Sequence, residues 1–194
     1  MIGAIVLAAG QSRRMGTQKL LLPWGAKPLL AHVVDQVLAG PVWPVIVVVG
    51  RDAPAIGTVL AGRPVTLLAN PRPQSEMLVS VRCGLRALSR HSEGVLVALG
   101  DQPGVTSELI GRLTAAFRSA RESIVVPQCQ GRRGHPIVVP RRFFTPVFQR
   151  YEGVGLRGLL EEYPDDIVEV PIDHPQTLHD LDTPEDYRRL SGPW

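Results

Sequence analysis

Residues 1–19 read MIGAIVLAAGQSRRMGTQK, an apolar run that breaks abruptly into glycines and cations. Met1 to Ala9 is rich in β-branched and small apolar residues, as expected of a strand buried on both faces. Gly10 to Lys19 then brings two glycines, two arginines and a lysine to the carboxyl end of that strand. In an open α/β sheet that edge is where ligands bind. Glycines let backbone N–H groups come close to a ligand, and successive N–H groups form an anion-binding concavity. Arg and Lys add full positive charge, and Arg can hold a phosphate through two parallel contacts. The stretch therefore reads as a nucleotide-phosphate loop. It is not a Walker A loop, because five residues separate Gly10 from Gly16 and the lysine comes three later. It lacks the dinucleotide pattern G-x-G-x-x-G as well.

Downstream, apolar runs alternate with helical periodicity. Leu29 to Leu38 has helical spacing, with Pro28 suited to its first turn and Gly40-Pro41 stopping it. Val45 to Val49, Val65 to Ala69, Gly94 to Leu99 and Ile124 to Pro127 read as strands. Asp52–Leu60, Met77–Leu88 and Ser107–Ala120 read as helices, the last capped by Thr106. This order predicts βαβ units and a mostly parallel sheet. Gln130 to Val139 has glycine-rich turn chemistry followed by an apolar run, expected as a hairpin or an excursion from the sheet. Phe143–Arg150 and Gly155–Glu162 are expected as helices and Ile167–Val170 as a late strand.

Three further places carry chemistry. Asp101, in Gly100-Asp101-Gln102-Pro103, stands at the carboxyl end of the fourth strand, beside the predicted phosphate loop. That position suits a Mg²⁺ ligand, since Mg²⁺ takes one or two carboxylates together with substrate phosphates and water. His135 is confined between Gly134 and Pro136 and can contact a substrate phosphate or the backbone. In His179-Asp180-Leu181-Asp182-Thr183-Pro184-Glu185-Asp186, Thr183 and Pro184 start a helix, so Glu185 and Asp186 belong to its first turn. Asp180 and Asp182 alternate in an extended segment and should face opposite ways, so at most one of them, Asp182 by preference, shares the metal with Asp101.

The bulk numbers exclude several classes. With 194 residues, 44% hydrophobic and 20% charged, the chain fits a single α/β domain spanning 1–194. Within it, 1–100 is expected as the nucleotide half and 101–194 as the metal and acceptor half. A net charge of +3 suits an anionic ligand, but only 5% of the chain is aromatic, and no basic run interleaves with aromatics to suggest nucleic acid. No run of about 18 apolar residues predicts a membrane span. The N-terminus lacks the charged leader of a signal peptide. Cys83 and Cys129 form no C-x-x-C and read as reduced thiols, so a cytoplasmic location is expected.

LAAGQSRRMGTQK, NPRPQSEMLVSVRCGL, GDQP, GRRGHP and DLDTPEDY together resemble the molybdenum cofactor cytidylyltransferase group of the molybdopterin-type nucleotidyltransferases. The first piece fits every fixed position of the signature L-A-A-G-x-S-x-R-M-G-x-x-K. The resemblance implies a three-layer α/β Rossmann-like nucleotidyltransferase fold with a mostly parallel central sheet. It implies transfer of CMP from CTP to the terminal phosphate of molybdopterin, with Mg²⁺ and release of pyrophosphate. A related transferase using GTP or another phosphorylated acceptor, or a non-catalytic cofactor carrier, is the alternative. Leu7, Ala8, Ala9, Gly10, Ser12, Arg13, Gly16 and Lys19, with Asn70 and Ser80, would then line the nucleotide. Gly134, His135 and Pro136 would meet the acceptor, and Arg13, Lys19 and Asp101 would carry catalysis. A recipient molybdoenzyme is an expected partner. Related guanylyltransferases tend to carry L-A-G-G where Leu7-Ala8-Ala9-Gly10 stands here, which tilts the expectation towards cytosine. Glu76 replaces the glycine of the family's G-M-x-x-S, adding bulk and negative charge near the anionic ligands. Arg82 is either a ligand contact or a helix-surface charge.

Overall fold

The computed structural model describes residues 1–10, 12, 15–72, 76–120 and 122–191. The opening apolar run forms β1 (Ile2–Ala8), and Lys19–Leu21 makes a turn of 3₁₀ helix. A small hairpin follows, β2 (Pro23–Trp24) and β3 (Lys27–Pro28), and leads into α1 (Leu29–Ala39). Pro28 ends β3 just ahead of the helix rather than sitting in its first turn. Then come β4 (Val45–Val49), α2 (Ala53–Val59), β5 (Thr66–Ala69), α3 (Met77–Ala87), β6 (Gly94–Leu99) and α4 (Ser107–Ser119). The remainder is β7 (Ile124–Cys129), β8 (Arg132–Arg133), β9 (Ile137–Pro140), α5 (Phe144–Gln149), α6 (Leu156–Glu162), β10 (Ile167–Pro171) and α7 (Pro184–Leu190).

Among the described residues one large sheet runs β5-β4-β1-β6-β9-β7-β10, with β8 added to β7. β9 is antiparallel to both of its neighbours, and the other pairings along this order are parallel. The central strands β1, β4, β6 and β9 are buried on both faces, whereas the edge strands β5, β8 and β10 are more exposed. Ala4, Val6, Ala8, Leu96 and Ala98 pack towards α1 and α4, while Ile5, Val95 and Val97 pack towards α3, α5 and α6. This period-2 division of one strand's side chains between two apolar cores produces the three-layer α/β architecture. The expected hairpin after β7 is present, and its return arm re-enters the sheet as β9 between β6 and β7. Ile137, Val138 and Val139 are all buried, which only a central strand satisfies. Both cysteines are free, Cys129 buried and Cys83 half-buried. No helix among the described residues is long and apolar enough to cross a membrane.

From β1 the chain runs outward to β4 and β5, then returns to the other side of β1 as β6. The order reverses between β1 and β6, the kind of switch point beyond whose strand ends open α/β sheets bind ligands. Leu7 is paired with Leu99, and the Gly100 N–H donates to the Leu7 carbonyl at 3.0 Å. The loop after β1 therefore lies beside Gly100 and Asp101.

Candidate functional site

Among the described residues of the loop, Ser12 is the hub. Ser12 has a left-handed φ of 47°, its carbonyl accepts from Met15 N–H at 3.0 Å, and its hydroxyl donates to Gln18 Oε1 at 2.9 Å. The same hydroxyl oxygen accepts from the Lys19 N–H at 3.2 Å. Gln18 Nε2 in turn donates to the Asp52 carboxylate at the start of α2. Gly16, with φ 69°, makes the turn that a side chain would resist. Gly10 sits exposed with open space about it, as a backbone meant to meet a ligand requires. Beneath the loop, a Cβ on Gly50 would lie 2.9 Å from the Ala9 carbonyl oxygen, so β4 must end in glycine for the loop to sit where it does. Arg13, expected to grip phosphate, lies outside the described residues.

Lys19, Asp101 and Asp182 come together. Lys19 Nζ is 2.5 Å from Asp101 Oδ2 and 3.0 Å from Asp182 Oδ1. Burial opposes the lysine's charge, but Asp101 and then Asp182 outweigh it and hold its pKa above the ordinary value. The Leu181 N–H donates to the Asp101 carbonyl at 3.0 Å, fixing the late segment against the loop after β6. Asp180 is engaged separately, by Gln102, yet feels the charges of both Asp101 and Asp182. It accepts from Gln102 Nε2 at 2.7 Å, and burial, with the charge of Asp101, raises its pKa. Two carboxylates about one cation suit a hard divalent ion completed by phosphate and water. Among the described residues no larger His/Cys/Asp/Glu group could hold a metal by protein ligands alone.

Gly134-His135-Pro136 interrupts the strand formed by β8 and β9. A Cβ on Gly134 would come within 2.7 Å of the Leu178 side chain, so this bulge packs closely on the late segment. His135 is partly exposed, yet its Nε2 is buried without a hydrogen-bond partner. Burial lowers its pKa to about 4, against the pull of Asp101 in the other direction, so the ring is neutral near pH 7. Gln102 Oε1 is likewise buried and unpartnered. Asn70 Nδ2 donates to Ser80 Oγ at 2.9 Å, and both residues are buried where β5 ends and α3 begins.

Arg82 proves structural. Its guanidinium donates to the carbonyls of Val147 and Arg150 and pairs with Glu152, tying α3 to α5. Glu76 accepts the Gly153 N–H at 2.7 Å, so its carboxylate is engaged by the loop before α6.

The family model described as the MobA-like NTP transferase domain matches residues 4–167. The chain belongs to that family. The resemblance read from its five motifs is borne out at this level. Curated relatives of this MobA-like chain include nicotine blue oxidoreductase of Paenarthrobacter nicotinovorans, 30% identical over 97% of the chain and 96% of the relative. Molybdenum cofactor cytidylyltransferase of Escherichia coli strain K12 is 27% identical over 96% of the chain and 93% of the relative. Among solved structures, Rv0371c of Mycobacterium tuberculosis H37Rv superposes with a TM-score of 0.88 at 26% identity, covering 99% of this chain and 98% of that one. The same protein has been solved in complex with manganese, with a TM-score of 0.83.

Sequence reading found Lys19, Asp101 and Asp182 singly and did not find Gln18, Asp52 or Gln102. Gln102 stands beside Asp101 at a strand end, a signal that could have marked it. Asp52 looks locally like any residue ahead of a short helix, and nothing in the sequence marks it.

Proposed function

We propose that this MobA-like transferase moves CMP from CTP to the terminal phosphate of a molybdopterin-type acceptor and releases pyrophosphate. The observation that carries this reading is the meeting of Lys19 with Asp101 and Asp182 at the switch point between β1 and β6, beside the glycine loop. The backbone from Gly10 to Gly16 cradles the triphosphate, with Arg13 and Lys19 as its cationic grip and Asn70 and Ser80 lining the nucleotide. Gly134, His135 and Pro136 border the acceptor, in the half formed by 101–194. Asp101 and Asp182 would hold Mg²⁺, which when bound supplies charge stabilisation to phosphate oxygens. The manganese complex of the mycobacterial relative supports a divalent ion here.

The acceptor phosphate attacks the α-phosphorus in line, a P–O bond to the acceptor forms, and the bond to the β-phosphate oxygen breaks. A phosphate monoester is largely ionised near pH 7, so no general base is needed. Neutral His135 fits this chemistry, because it can orient an acceptor by hydrogen bonding without adding charge. Catalysis is then positioning and electrostatics. The Ala9 methyl, where related guanylyltransferases carry glycine, supports cytosine over guanine. Delivery to a recipient molybdoenzyme in the cytoplasm completes the reading.

Pyrophosphate release should be measured with CTP, GTP and ATP, each with and without molybdopterin. Release that requires CTP and molybdopterin together is the expected result. Release with GTP alone among the nucleotides moves the base choice, and no release with any nucleotide removes the transferase reading. A second reading comes from the relative named nicotine blue oxidoreductase, which matches over nearly the full chain. Redox turnover of nicotine blue, without pyrophosphate release, would favour it.

A further inference from the structure

We infer that Lys19 holds the Asp101–Asp182 pair as a resident counter-ion and leaves it only when a divalent ion arrives, which couples metal entry to nucleotide entry. The inference rests on the proposed assignment of those two carboxylates to the metal. The ammonium bridges Asp101 Oδ2 at 2.5 Å and Asp182 Oδ1 at 3.0 Å, the two carboxylates that would hold the divalent ion. The backbones that carry the two carboxylates are fixed independently of it. The Leu181 N–H is bound to the Asp101 carbonyl, and the Asp182 N–H donates to Asp186 Oδ2 at 3.3 Å. The lysine backbone is also fixed, by the Ser12 hydroxyl. The movable part is the four-carbon stem of Lys19, whose head can swing between neighbouring anions.

Among the described residues the Lys19 ammonium faces the Asp101 and Asp182 carboxylates, with Asp180 near enough to feel all three, so a divalent ion is attracted but must displace an ammonium whose side chain is 90% shielded from solvent. The displaced head then needs another anion. Triphosphate oxygens held by the adjoining loop supply one. Lys19 therefore weakens the binding of metal alone and strengthens the binding of metal with nucleotide. By linkage, metal must improve nucleotide binding by the same factor as nucleotide improves metal binding.

The test is Mn²⁺ titration followed by the electron paramagnetic resonance signal of the free ion, with the full chain, without nucleotide and then with CTP. Lys19→Met should bind Mn²⁺ at least about tenfold more tightly than the parent when nucleotide is absent, because a competing charge is gone. CTP should improve Mn²⁺ binding less in that variant than in the parent. Asp101→Asn should bind Mn²⁺ more weakly. If Lys19→Met binds Mn²⁺ no better while Asp101→Asn is weakened, the counter-ion role is wrong and the metal assignment stands. If Asp101→Asn is unchanged, the metal assignment itself falls, and the inference with it. Parent crystals soaked in Mn²⁺ without CTP give a check that needs no variant. The ammonium should then lie more than about 4 Å from both carboxylates, beyond ion-pair distance. A metal on Asp101 with Lys19 still bridging would overturn the inference.

Discussion

Lys19 is the residue on which most of the site converges, and its two carboxylate partners come from a different strand end and from the far end of the chain. Losing a charge-assisted phosphate contact, or the metal that neutralises the phosphates, should cost about 2–3 kcal/mol of transition-state stabilisation, roughly a hundredfold. Lys19→Ala and Asp101→Ala are therefore expected to lower the rate of pyrophosphate release at least that much while leaving the circular dichroism spectrum unchanged. Near-parental turnover in Asp101→Ala would remove the metal role proposed for it. His135 makes a separate prediction. Its folded pKa is about 4, below the 6.5 of the free ring, so the unfolded chain takes up its proton first as pH falls. Stability attributable to His135 is intact above pH 6.5 and drains away between there and about pH 4. Denaturant titrations across that window should show a steeper loss in the parent than in His135→Gln. The sequence disclosed the type of each of these residues and the strand end or segment that carries it. It could not disclose that Lys19 faces carboxylates before phosphate, because that contact joins groups 163 positions apart.

At the scale of elements, periodicity found the described helices and the long strands, because apolar spacing is set by the same burial that holds them in place. The position of β9 was not legible. Ile137-Val138-Val139 suits any strand buried on both faces, and nothing in its pattern says which neighbours it will take. The arrangement of the late segment was legible only at its cap, where Thr183 and Asp186 exchange hydrogen bonds as a capping box. That cap sets the position of Asp182 one residue earlier. Thr183→Ala should cost about 1 kcal/mol of stability and also weaken Mn²⁺ binding. A loss of stability with unchanged Mn²⁺ binding would separate the cap from the site. Gly134→Ala probes the other neighbour of this segment, since the new methyl would collide with the Leu178 side chain. A rise in acceptor KM larger than any rise in CTP KM is expected, with equal effects on both counting against the division between the two substrates.

For the whole molecule, the decisive feature is that the candidate site joins Lys19, just after β1, to Asp182, beyond the last strand of the sheet. The sheet is complete by Pro171, where β10 ends, and the family match stops at residue 167. Asp182 nevertheless comes from the segment after it, held against the body by Leu181 and Leu190, which pack on the fully buried Leu29 at the start of α1. A chain ending at residue 173 would keep both faces of the sheet covered by α1 to α6. It would lose the burial of Leu181 and Leu190 and uncover Leu29, at about 1.5–3 kcal/mol for each side chain. The total, about 4.5–9 kcal/mol, falls within a native stability of about 5–15 kcal/mol, so from the upper part of that range the truncated chain still folds, with a melting temperature lower by roughly 10–35 °C. It should retain the far-ultraviolet spectrum of the remaining elements and still bind CTP in the absence of metal, because the glycine loop and Lys19 are intact. Metal-dependent tightening of CTP and pyrophosphate release should both disappear with Asp182. Metal-dependent tightening that survives in a folded truncated chain would mean that Asp101 works without a carboxylate from the C-terminal segment.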